Sequence, residues 1–208
     1  MILLTIPQTL YISISVVALL LLIIFTILFI YKKGYAKKHF KEATFLKLSR
    51  LAKYNDYLLL NNYYLDFDDK HVGCIDHILI SKKYIFVIND FSISGVISGD
   101  TRDNHLRLIN FKKEAKIISN PINYNINLIK KLNATSRLDQ TFVKGLVIVN
   151  NDASIILNNK SEQFMMVRRK DVGKIIATLD KDDVNNLKEN DVVSFINKLN
   201  RINKKRGL

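Results

Sequence analysis

Gly73-Cys74-Ile75-Asp76-His77-Ile78-Leu79-Ile80-Ser81, then Lys82-Lys83, then Tyr84-Ile85-Phe86-Val87-Ile88-Asn89-Asp90 reads as two apolar strands joined by a short polar turn. Asp76 stands inside the first of them. A carboxylate in a buried strand is costly unless a metal, a cation or hydrogen-bond donors compensate it. Asp76 therefore marks either a metal position or an ordinary strand aspartate, facing solvent or paired with a neighbour such as Lys82 or Lys83.

Outward from this hairpin the pattern alternates between strands and helices. Upstream, residues 57–67 are rich in leucine and tyrosine and predict a third antiparallel strand. Before it, Phe45, Leu48, Leu51 and Ala52 recur at helical spacing, predicting a helix over 42–54. Downstream, 95–99 predicts a short strand bracketed by glycines, and the polar stretch 100–110 predicts a loop. Asn120-Pro121 then opens a helix over 121–134, because a proline in the first turn has no helical partner to lose. Residues 142–149 form a continuous Val/Leu/Ile run suited to a strand buried on both faces. Shorter strands are expected at 154–157 and 164–167, a short helix at 171–179, and an amphipathic helix through Val192, Phe195, Ile196 and Leu199. The order predicts an α/β domain with a mixed central sheet flanked by helices.

The 208 residues have room for one such domain and an appendage. No charged side chain occurs in residues 1–31, and 10–31 is almost wholly apolar, long enough to cross roughly 30 Å of hydrocarbon as a helix. This predicts one N-terminal transmembrane helix. It lacks the basic start and small-residue cleavage site of a signal peptide. Lys32, Lys33, Lys37, Lys38 and Lys41 follow it and no lysine or arginine precedes it, so the N-terminus is expected outside and the C-terminal domain in the cytoplasm, on a single-pass cell-membrane protein. The expected organisation is an anchor and basic juxtamembrane segment at 1–41, the α/β domain at 42–180, and a helical segment with a basic tail at 181–208. The single cysteine, Cys74, excludes an intramolecular disulfide.

The net charge of +13 falls entirely beyond residue 31. Such a surface attracts polyanions: anionic lipid, contacted through Lys32, Lys33, Lys37 and Lys38, and DNA or RNA. No Gly-rich phosphate loop, nucleophile elbow or cysteine–histidine pair is present, and His39, His71 and His105 are too scattered for a zinc site, so conventional kinase, hydrolase and redox chemistries are set aside.

Ile75-Asp76-His77-Ile78-Leu79-Ile80-Ser81, Ile85-Phe86-Val87-Ile88, Ser94-Gly95-Val96-Ile97-Ser98-Gly99 and the later Asn120-Pro121 together resemble the nuclease-related domain, or NERD. The likeness runs from about residue 42 to 199 and implies a restriction-endonuclease-like fold. That family is similar to the PD-(D/E)XK nucleases, in which an aspartate on one strand and a Glu-X-Lys triplet on the next hold a Mg²⁺ ion and place a water for phosphodiester hydrolysis. Asp76 matches the first position and would be the metal ligand. The triplet falls on Asn89-Asp90-Phe91, so the glutamate is replaced by an amide and the lysine by a phenyl ring. Asp90 points to the other face of a regular strand. Tyr124 replaces the family's glutamine, and Glu42 only approximately matches its helix acid.

The resemblance thus implies a degenerate catalytic set, Asp76, Asn89 and Phe91, in a membrane-anchored pseudoenzyme that scaffolds or binds nucleic acid. One alternative is an active Mg²⁺-dependent nuclease whose second acid and lysine have moved to Asp90 or Asp100 and to Lys112 or Lys113. Another is a module that engages protein partners in a membrane assembly.

Overall fold

The computed structural model describes residues 14–28, 39–66, 72–136 and 139–204. The chain divides into two compact units, Met1–His39 and Phe40–Leu208. In the first, residues 14–28 form helix α1, whose apolar side chains, Leu22 and Phe25 among them, are exposed. Among the described residues no helix is long and apolar enough to cross a membrane. The predicted span of 10–31 is described only over 14–28. The rest of it, and with it Lys32, Lys33, Lys37 and Lys38, lies outside the described residues.

The second unit begins with α2 (Phe40–Asn55), which buries Phe40, Thr44, Leu48 and Ala52, one residue per turn along a single stripe. Three antiparallel strands follow as the sequence predicts: β1 (Leu58–Asp66), β2 (Val72–Ile80) and β3 (Ile85–Asp90). Then come β4 (Val96–Asp100), β5 (His105–Ile109), β6 (Ala115–Ser119), α3 (Pro121–Ser136), a short 3₁₀ turn, β7 (Val143–Val149), β8 (Ser154–Asn158), β9 (Phe164–Arg168), α4 (Val172–Leu179) and α5 (Glu189–Lys204).

The mixed α/β class holds, but there are two mixed sheets where one was expected. The larger has the order β1-β2-β3-β7-β9, with β7 and β9 running parallel to β3. The smaller has the order β6-β5-β4-β8. The chain leaves the first sheet after β3 through Gly95, which holds φ +115° where a Cβ would sit 2.3 Å from the Ile109 carbonyl oxygen. Only glycine allows β4 to enter so close to β5. The predicted loop over 100–110 is therefore corrected: its second half is β5, whose His105-Leu106-Arg107-Leu108 alternation buries Leu106 and exposes Arg107. β6 gave no such signal because, as an edge strand, it is exposed almost throughout.

The larger sheet is covered on both faces. On one side Leu79, Phe86 and Ile88 meet α2 and α4 through Leu48, Val172 and Ile176. On the other Ile78, Ile80, Ile85 and Val87 meet α3 and α5 through Leu128, Leu132, Phe195 and Leu199. This explains why β3 is buried along its whole length and reads as an unbroken apolar run.

Candidate functional site

The site lies where β2 and β3 part company. Their pairing runs from Ile80–Ile85 to His77–Ile88 and stops, while β2 continues along β1. On the β1 side the register passes over Asn62 and Asp76, and Asn62 holds φ +57°, a left-handed conformation that asparagine tolerates. Side chains close the gap left by the missing ladder. Asp76 Oδ2 accepts the backbone N–H of Asp90 at 2.9 Å, and Asn89 Nδ2 donates to the Cys74 carbonyl at 2.8 Å and to Asp76 Oδ2 at 3.3 Å. The buried carboxylate that the sequence singled out thus takes the place of a strand carbonyl.

Its other oxygen is held by a cation that the sequence reading had assigned only to membrane topology. Lys41, in the first turn of α2, donates from Nζ to Asp76 Oδ1 at 2.6 Å. The bond to Asp76 raises the Lys41 pKa above its usual value, so the ammonium stays charged. This corrects two expectations. Asp76 pairs with neither Lys82 nor Lys83, since Lys83 Nζ instead donates to the Asp182 carbonyl. And the site does have an ammonium, supplied from the helix rather than from the strand position occupied by Phe91.

Asn89 is buried and held on both ends of its amide. Its Oδ1 accepts from Asn125 Nδ2 at 2.9 Å, and Asn125 Nδ2 also donates to the Val87 carbonyl at 3.1 Å. With Nδ2 facing two acceptors and Oδ1 facing a donor, the network fixes the amide orientation. Asn125 in turn lies against Gly145 of β7, where a Cβ would come within 2.1 Å of its Oδ1. Phe91 stands at the mouth, its ring edge-on to that of Tyr124 with centroids 6.1 Å apart. The Tyr124 hydroxyl accepts from the Cys74 N–H at 3.1 Å.

Together Lys41, Cys74, Asp76, Asn89, Phe91 and Tyr124, with residues 119–121 ahead of and at the start of α3, line a cavity of about 330 Å³. Asn120 explains the Asn-Pro pair: its Oδ1 caps the Ile122 N–H at 3.0 Å while its Nδ2 donates to the carbonyls of Thr101 and Asp103. The pair pins the start of α3 to the β4–β5 turn. The Cys74 thiol, pushed up in pKa mainly by burial, stays protonated.

Asp90 borders the same cavity, yet its side chain is wholly enclosed on the other face of β3. There Oδ2 meets His77 Nε2 at 3.2 Å, and Oδ1 has no hydrogen-bond partner. Burial raises its pKa above the ordinary aspartate value. His77 Nδ1 faces Asn61 Oδ1 at 2.6 Å, and Phe45 stacks on the imidazole. Of the proposed replacements, Asp100 is bound to Asn159 and to the Arg102 N–H, and Lys112 and Lys113 lie at the β5–β6 turn. None of these three lines the cavity, and neither does Glu42.

These donors do not suit a Mg²⁺ ion, which requires several oxygen ligands with carboxylate charge among them. Among the described residues that line the cavity, Asp76 is the one whose carboxylate opens to it, and both its oxygens are already bonded. Asn89 turns its nitrogen toward that carboxylate and its oxygen away. Among the described residues no cluster of three His, Cys, Asp or Glu side chains has metal-binding geometry. The ammonium of Lys41 occupies Asp76 Oδ1, one of the two oxygens that this carboxylate could offer to a cation.

Sequence reasoning missed Lys41 and Asn125. Lys41 was hidden among the lysines that follow the apolar start of the chain, and Asn125 stands on the buried face of α3 with Ile122, Ile129 and Leu132, where a polar residue interrupts the apolar pattern that marks that face. A family model described as NERD, nuclease-related domain, matches residues 36–150, which carries every residue of the cavity. No curated protein and no solved structure matches the chain.

Proposed function

The chain belongs to the nuclease-related domain family, and from that premise we propose that it is a membrane-tethered member that binds nucleic acid without metal-dependent hydrolysis. The observation that carries this reading is the bonding of Asp76: an ammonium on one oxygen, an amide nitrogen and a backbone N–H on the other. A metal-dependent nuclease needs that carboxylate free and a second one beside it, to polarise the phosphate and to lower the pKa of a bound water. Here the second acid is an amide donor. What the cavity retains is a cation at its mouth, with Lys41 having 69% of its side chain exposed, and neutral hydrogen-bonding groups around it.

The basic charge supports the binding part, because phosphate contacts by lysine and arginine supply most of the affinity of such surfaces for nucleic acid. The tether is supported by the uncharged residues 1–31, of which 14–28 form a helix with exposed apolar side chains. The lysines at 32, 33, 37 and 38 give the orientation, with the domain in the cytoplasm.

The test uses the full chain in detergent, with labelled single- and double-stranded DNA and RNA in Mg²⁺ or Mn²⁺. No cleavage is expected, with binding that falls steeply as salt rises, by a log–log slope of about −0.9 for each phosphate contacted on duplex DNA. Cleavage that Asp76→Ala abolishes would overturn the reading and make Lys41 the relocated lysine of an active site. Binding that ignores salt would remove the nucleic-acid part.

A further inference from the structure

The β5–β6 hairpin ends in a rigid tip with an unusual surface. Asn110 builds it: Oδ1 accepts the N–H groups of Lys112 at 2.9 Å and Glu114 at 3.0 Å, and Nδ2 donates to Glu114 Oε2 at 2.8 Å. Backbone bonds from Asn110 to the Glu114 carbonyl and from Lys113 to the Asn110 carbonyl close the turn, with Lys113 at φ +64°. The loop so fixed pushes Phe111, Lys112 and Lys113 outward, and Phe111 is 64% exposed.

Behind the tip the charge and the apolar surface continue. Arg107 on β5 lies across from Ile117 on β6, which is 78% exposed, and Lys116 adds a further cation. Four basic side chains in residues 105–119 face one acid, Glu114, whose carboxylate Asn110 already holds.

We propose that this tip contacts an anionic bilayer surface, with the Phe111 ring entering the headgroup layer and Lys112 and Lys113 resting on lipid phosphates. An exposed aromatic flanked by lysines has the chemistry of an interfacial anchor, in which apolar burial and attraction to anionic lipid add. A hairpin tip with one aromatic lacks the succession of stacking platforms that single-stranded nucleic acid uses. The inference takes from the proposed function only that the protein works beside a membrane. Its chemistry does not depend on the state of the cavity.

The protein has no tryptophan, so Phe111→Trp gives a single-tryptophan reporter at an exposed position. The full-length variant is mixed with vesicles of phosphatidylcholine alone or of phosphatidylcholine with phosphatidylserine, each with and without brominated acyl chains. A blue-shifted emission, quenched by the brominated lipid only where phosphatidylserine is present, is the expected result. Lys112→Gln and Lys113→Gln should each lower the partition constant read from the quenching about fivefold. Emission that stays unshifted and unquenched on the anionic vesicles overturns the proposal. So does quenching that is equal on neutral vesicles, or an oligonucleotide that shields the tryptophan while lipid does not. Flotation of the chain on phosphatidylcholine alone reads the N-terminal anchor separately, so its failure would remove the tether while leaving the result at the tip intact.

Discussion

Asn89 shows how one atom changes what a cavity can do. As an amide it donates to Cys74 and Asp76 and accepts from Asn125, so it knits the parted ends of β2 and β3 together. As a carboxylate it would face the Cys74 carbonyl and the Asp76 carboxylate with no proton to offer. Asn89→Asp should therefore destabilise the protein by about 1–3 kcal/mol in the absence of metal. It would also supply the missing second acid, so added Mn²⁺ should recover part of the loss in melting temperature, whereas the wild-type melting temperature should not respond to Mn²⁺. A wild-type protein that gains as much from Mn²⁺ as the variant would mean that Lys41 does not exclude a cation from Asp76. At this scale the sequence showed that the Glu-X-Lys pattern was broken. It did not show that the amide had a structural task, because the partner that fixes its orientation, Asn125, lies 36 residues away.

The residue before β1 and the β2–β3 turn are fastened to the segment after α4 by side-chain hydrogen bonds, the one from Lys83 to the Asp182 carbonyl among them. Tyr57 Oη donates to Asp180 Oδ2 at 2.5 Å, Ser81 Oγ to Asp180 Oδ1 at 2.6 Å, and Tyr84 Oη to Asp182 Oδ2 at 2.9 Å. A backbone bond from Leu187 to the Lys82 carbonyl extends the seam. Burial, with the nearby carboxylates, pushes the Tyr84 phenol from its ordinary 10.0 up to about 12 and raises that of Tyr57 in the same way. The folded state then holds a proton that the unfolded chain releases between these values, so the contribution of Tyr84 is complete below pH 10.0 and is lost as pH rises through about 12. Tyr84→Phe should cost about 1 kcal/mol at neutral pH and flatten the alkaline fall in melting temperature. An alkaline profile identical to wild type would remove this assignment. The elements themselves were largely legible, since their apolar spacing records one- or two-sided burial. β6 was not, because an exposed edge strand carries no such record.

Across the larger unit, α5 closes the core that α3 and the strands begin, with Phe195 and Leu199 buried against Leu128 and Leu132. Removing the ring in Phe195→Ala should cost about 3–5 kcal/mol. If the helix belongs to the same cooperative unit, the whole guanidinium transition shifts to lower denaturant. An early, separate loss of helix with the main transition unmoved would show α5 to be an independent segment. Composition and periodicity by themselves determined the α/β class, the antiparallel opening of the sheet, the buried central strand and the apolar, uncharged start of the chain, because each depends on the local alternation of side chains or on their sum. Family likeness added the expectation of a nuclease-like site at Asp76. Only the tertiary structure decided that the strands form two sheets, that a lysine from α2 neutralises Asp76, and that Asp90 is shut away with His77. Those outcomes depend on which distant residues come within about 3 Å of one another, the range over which a hydrogen bond acts, and spacing along the chain does not contain that information.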